Sequence, residues 1–121
     1  LNYGYAILRA VIARALVSTG LLTAVGIHHH SKYNPYCLAD DIMEPFRPYI
    51  DEHILTIMEQ FPQETELTKD VKAELLKIPV IDVIINNNRS PLMIAASTTT
   101  SSLFKCYSGE LRKIIYPIIP L

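Results

Sequence analysis

A mainly α-helical, bundle-like domain with one small β-hairpin near residues 80–90 is expected from two features of this chain. Apolar residues recur at three- and four-residue spacing in segments separated by prolines, glycines and polar clusters. A single β-branched run, 78–85, leads into Asn86-Asn87-Asn88, a natural tight turn because Asn tolerates positive φ. No internal repeat or long linker divides the 121 residues, so 1–121 reads as one domain with one modest core.

The first helix is expected over residues 3–17. Tyr5, Leu8, Ile12 and Leu16 fall on one face, with Ala6, Ala10, Ala13 and Ala15 between them suiting close packing. Ser18-Thr19-Gly20 ends it. After residues 21–27, the polar stretch His28-His29-His30-Ser31-Lys32-Tyr33-Asn34-Pro35 reads as a loop. A second helix begins near Tyr36 and carries Leu38, Ile42, Met43 and Phe46, with a kink or break expected at Pro45 and Pro48. Helix resumes over about 49–60, with Ile50, Ile54, Ile57 and Met58 on one side. Residues 61–65 are a break. Thr68 is a candidate N-cap for a short helix bearing Val71, Leu75 and Leu76. The run 78–85, interrupted by Pro79 and Asp82, pairs across the asparagine turn with Arg89-Ser90. Pro91 stands where a last helix starts, and that helix covers 92–107 and stops at Gly109. Its run Ser97-Thr98-Thr99-Thr100-Ser101-Ser102 is poor in helix propensity and needs its hydroxyls to bond back to the preceding turn. Pro117 and Pro120 keep the basic, then apolar, tail out of helix.

Composition narrows the function classes. Eleven basic against twelve acidic residues give a net charge of −1, so there is no bulk electrostatic footprint for nucleic acid, although a local basic site is compatible with it. A mean hydropathy of +0.21 is apolar for a free-standing domain of this size, as if further chain or a partner covers part of the surface. The opening Leu1-Asn2-Tyr3-Gly4-Tyr5, without an initiator Met, reads as a piece of something longer. Arg9 and Arg14 interrupt the first apolar stretch, so it reads as a buried or interface helix and not as a signal peptide or membrane span. A cytoplasmic location is the default. Cys37 and Cys106 are too few and too far apart for a disulfide framework or a zinc-finger pattern.

The residues with chemistry to offer are the three histidines and the nearby carboxylates Asp40, Asp41 and Glu44. On a helix Asp41 and Glu44 share a face, as do Asp40 and Glu44. A loop imidazole opposite such a face is half of a divalent-metal site suited to Mn²⁺ or Mg²⁺, with a third ligand required from elsewhere. The competing explanation is plain: acidic residues favour the first turns of a helix, and a histidine run is often only a polar loop. Cys37 near the histidines lacks the paired-cysteine spacing of a zinc site. His53 reads as solvent-facing or interhelical. Lys32, Arg47 and Lys105 read as scattered surface cations. There is no glycine-rich phosphate loop and no serine elbow.

Three ordered segments carry a resemblance. Leu1-Asn2-Tyr3-Gly4-Tyr5-Ala6-Ile7-Leu8-Arg9, Gly26-Ile27-His28-His29, and Leu38-Ala39-Asp40-Asp41-Ile42-Met43-Glu44-Pro45-Phe46-Arg47-Pro48 together resemble the C-terminal helical domain of the CRISPR-associated integrase, the endonuclease-like enzyme of spacer acquisition. The match covers nearly the whole chain. Arg89-Ser90-Pro91-Leu92 and Gly109-Glu110-Leu111-Arg112-Lys113-Ile114-Ile115-Tyr116-Pro117 look like the variant found beside the RNA-guided effector nuclease of type II systems.

The resemblance implies a metal-dependent DNA endonuclease and integrase. The family holds a divalent ion, Mg²⁺ or Mn²⁺, with a Glu, a His and an acidic residue. Gly26-Ile27-His28 puts His29 in the histidine position, fifteen residues before Glu44, with His28 as the alternative register. His29 and Glu44 are therefore the implied metal ligands, Asp41 matches a supporting acidic position, and Lys32 matches a basic position near the site. The family's first Glu and its N-terminal β domain belong before Leu1, so residues 1–121 alone are expected to bind metal weakly and integrate no DNA. Implied partners are double-stranded DNA, both the foreign fragment and the CRISPR repeat array, a second copy in a homodimer, and a small CRISPR-associated adaptation protein, with no membrane. The alternative is a non-catalytic helical scaffold module, which has no need of an imidazole facing Glu44.

Overall fold

The computed structural model describes residues 2–19, 35–62, 68–111 and 113–118. Helix α1 spans Asn2–Thr19 and α2 spans Pro35–Met43. A 3-10 turn, Glu44–Phe46, joins α2 to α3, Arg47–Gln60. The short α4, Lys69–Leu75, leads through a 3-10 turn at Ile78–Val80 to strand β1, Asp82–Ile85. Strand β2, Asn88–Pro91, returns antiparallel to β1, and α5, Leu92–Tyr107, follows. The expected helical domain with one hairpin is therefore what the chain forms. None of the described helices is long and apolar enough to cross a membrane.

Helix α1 is the spine. Leu8, Ile12, Ala15 and Leu16 are buried on one face, where α1 packs mainly against α5 and α2. Small residues on α5, Ala95 and Ala96, are fully buried and let the two helices approach. Near its start, Gly4 closes on α3, because a Cβ there would stand 3.1 Å from Ile50 Cγ2. The Ser/Thr run of α5 stays helical as expected. Ser97, Thr98 and Thr100 donate to the carbonyls of Met93, Ile94 and Ser97 at 3.2–3.3 Å, and Ser102 donates to Thr99 O at 2.7 Å.

Local signals held at the joints. Thr68 caps α4, its hydroxyl accepting from Val71 N–H. Asn86 and Asn87 turn the hairpin with φ of 56° and 65°, the geometry of a type I′ turn. Gly109, at φ +83°, ends the last helix.

Several details differ from expectation. Pro45 and Pro48 sit in the first turns of the 3-10 segment and of α3, where no intrahelical N–H partner is lost, so α3 starts earlier, at Arg47. Met58 is 60% exposed. At about 100° per residue it lies roughly 80° around α3 from Ile50, beyond the buried stripe. Leu76, just past α4, also points outward, while Leu75 and Ile78 are buried. Ile78–Val80 forms a 3-10 turn and not the start of a strand, as Pro79 at its second position favours. Asn88 pairs in β2 opposite Ile85, and Pro91 ends that strand in an extended conformation just before α5.

The segment 113–118 runs back along the outer edge of β1. Ile118 N–H donates to Ile84 O at 2.9 Å, and Ile115 N–H donates to Ser102 Oγ at 2.8 Å. The Tyr49 hydroxyl closes the junction, accepting from Ile84 N–H at 3.0 Å and donating to Ile118 O at 2.6 Å. Tyr49→Phe strands both backbone groups and is expected to cost about 1–3 kcal/mol. Chemical denaturation measures it, and an unchanged midpoint would refute the role given to this hydroxyl.

Candidate metal centre

The three carboxylates around the α2–α3 junction have different fates. Asp40 is tied to α1: Arg9 Nε lies 2.9 Å from its Oδ1, and Arg9 Nη2 donates to its Oδ2 at 3.2 Å. Both side chains remain 42% and 45% exposed, so this is a surface tie between α1 and α2 that occupies the Asp40 carboxylate. Asp41, the next residue, is exposed and makes no ion pair among the described residues.

Glu44 opens the 3-10 turn and is also exposed. Its Oε1 lies 3.3 Å from Arg47 Nη2, three residues on. Such an exposed pair is worth at most about 1 kcal/mol, so it leaves the carboxylate available to a stronger ligand. Glu44 and Asp41 offer hard oxygen donors, the type Mg²⁺ and Mn²⁺ prefer. On that chemistry the residues fit a divalent ion as part of a ligand set. Among the described residues no group of three His, Cys, Asp or Glu side chains converges, so the rest of the set must come from elsewhere. His29, its alternative His28, and Lys32 lie outside the described residues.

Arg47 is not the free surface cation expected. Its guanidinium carbon stands 4.9 Å from the centroid of the Tyr5 ring while Nη2 faces Glu44. The Tyr5 hydroxyl in turn donates to Asp51 Oδ1. A chain of contacts, Asp51–Tyr5–Arg47–Glu44, therefore links α1 and α3 to the candidate ligand. The one sequence signal for it was the opposite charge at i and i+3 in Glu44 and Arg47. Tyr5, with its helical spacing, read as a core residue only. A groove of about 560 Å³ opens beside this chain, lined by Tyr5, Arg9, Asp40, Met43 and Arg47 among others. His53 proves interhelical, with Nε2 2.8 Å from Glu74 O.

Two phenols titrate high. The hydrogen bond to Asp51, then burial and the Asp51 charge, push Tyr5 above its ordinary 10.0. Burial, then the charges of Asp41 and Cys106, push Tyr116 up as well. The folded state holds the Tyr5 proton more tightly than the unfolded state does. Its stabilisation is thus complete below pH 10.0 and is lost as pH rises through the higher folded-state value. Tyr5→Phe is expected to flatten the alkaline fall in melting temperature, and an identical fall in both proteins would refute the linkage.

The chain is similar to known proteins. Residues 1–86 match the family model described as CRISPR associated protein Cas1. A CRISPR-associated endonuclease Cas1 of Neisseria meningitidis serogroup C is 39% identical over 102 residues, covering 84% of this chain and 34% of that protein. A second, from Pyrobaculum aerophilum, is 36% identical over 67 residues, which are 55% of this chain and 23% of its own length. A third, from Francisella tularensis subsp. novicida, is 30% identical over 77 residues, 63% of this chain and 24% of that protein. The chain spans about a third of the first relative and less of the others.

Proposed function

Because this chain belongs to the CRISPR-associated protein Cas1 family, we propose that it is the helical part of a divalent-metal-dependent DNA endonuclease and integrase of CRISPR adaptation. The observation that carries the reading is the contrast at the α2–α3 junction. Asp40 is consumed by Arg9, while Glu44 is presented to solvent with only a loose pair to Arg47.

In this proposal Glu44 and His29 hold Mg²⁺ or Mn²⁺, and a Glu from a stretch of the longer protein outside this sequence completes the set. The ion, when bound, polarises the scissile phosphodiester and stabilises the displaced oxygen. The protein's own groups do the rest. Asp41 adds negative charge beside the ligand face, and Lys32 neutralises the phosphate. Arg47, seated on Tyr5, faces the Glu44 carboxylate as a nearby positive charge. The reaction is a transesterification: a 3′ hydroxyl of the foreign DNA bonds to phosphorus in the repeat strand. The displaced 3′ oxygen leaves and takes a proton as the incoming hydroxyl gives one up. Double-stranded DNA, a second copy of the protein and a small CRISPR-associated adaptation protein are the proposed partners, in the cytoplasm.

The test is strand transfer by the full-length protein onto a repeat-bearing duplex, with Mg²⁺ or Mn²⁺ and with a chelator. Chelation is expected to abolish transfer, re-added metal to restore it, and residues 1–121 alone to give none. Transfer that persists in the chelator would end the metal reading.

A further inference from the structure

The hydroxyl run of α5 does more than satisfy its own helix. A second groove, about 390 Å³, lies between the outer face of α5 and the returning segment 113–118, with the hairpin turn at one side. Ser97, Ser101 and Lys105 follow one another at four-residue intervals, so they share a face and step about 6 Å along the axis. Three donor-bearing side chains in this groove, Asn86, Ser101 and Lys105, are exposed and form no side-chain hydrogen bond or ion pair among the described residues. The groove lining contains a cation and no carboxylate. In the groove beside Arg9 and Arg47, by contrast, Asp40 already supplies a counter-charge.

We propose that this groove is a binding track for the phosphodiester backbone of duplex DNA, with Lys105, Ser101 and Asn86 as its phosphate donors. The inference rests on the DNA-handling reading above and adds a second contact surface to it. Neutral hydroxyls and amides with an unpaired ammonium are the groups that contact phosphate without reading bases. The far wall is firm, because Ile115 N–H is pinned by Ser102 Oγ and Ile118 by β1 and Tyr49. Ser97 and Thr98 contribute less, since their protons are held by the preceding turn.

The test is the binding of a labelled duplex to the full-length protein, followed by fluorescence anisotropy across a salt series. Lys105→Gln is expected to weaken binding equally for unrelated sequences and to make the slope of log affinity against log salt less steep by about one. Lys105→Arg should keep the slope, and Ser101→Asp should weaken binding further by placing a like charge against phosphate. Both positions are exposed, so the circular dichroism spectrum should not change. Wild-type slope and affinity in Lys105→Gln and Ser101→Asp, with the wild type binding DNA, would overturn the track alone. A wild-type protein that binds no duplex would overturn the DNA-handling reading and the track with it.

Discussion

Glu44→Gln in the full-length protein is expected to lower metal-dependent cleavage and strand transfer by at least about 100-fold, since even outer partners of metal ligands cost 10–100-fold when removed. The domain's stability should barely move. Gln keeps the size and the exposed setting of Glu44, and the 3.3 Å pair with Arg47 that it weakens is worth roughly 0.3–0.5 kcal/mol at such spacing. Asp40→Asn is the informative control. It removes charge one helical turn away and weakens the tie to Arg9, so any damage should fall on stability, by at most about 1 kcal/mol for a pair this exposed. A metal titration separates the two, because higher Mg²⁺ or Mn²⁺ should partly rescue a weakened ligand set and should not repair a loosened helix pair. Full activity in Glu44→Gln would refute Glu44 as a metal ligand.

Phe46→Ala should do the reverse. Phe46 is fully buried two residues beyond Glu44, at the end of the 3-10 turn that aims α3. Removing a buried phenyl ring costs about 3–5 kcal/mol, a large share of the margin of a domain this small. Urea denaturation should show a lower midpoint, and any loss of activity should track the unfolded fraction as temperature rises. The loss in Glu44→Gln should be the same at all temperatures where the domain is folded. A Phe46→Ala protein as stable as the wild type would mean the junction is not anchored by this ring. The pair of substitutions tests one short stretch, EPF, for two separate jobs.

The comparison at the α2–α3 junction shows how far local pattern reaches. Asp40, Asp41 and Glu44 stood out as a carboxylate group, and helical spacing put them on related faces. Spacing could not tell that Asp40 belongs to Arg9, because that pair joins residues 31 apart in the chain. Arg47 read as a surface cation for the same reason: the ring it covers, Tyr5, is on another helix. Tyr49 offered no sign that its hydroxyl ties β1 to a segment 69 residues later.

What the amino-acid order settled unaided was everything that depends on a few neighbours. The apolar stripe of α1, the threonine cap of α4, the positive-φ asparagines, the prolines at helix starts and the back-bonding hydroxyls of α5 are all decided within about one helical turn. Three-dimensional packing alone decided which carboxylate is spent on structure, which side of α3 Met58 faces, and where residues 113–118 settle. Those outcomes depend on burial and hydrogen bonds between distant segments, and no local propensity encodes which partner a side chain meets once the chain has collapsed.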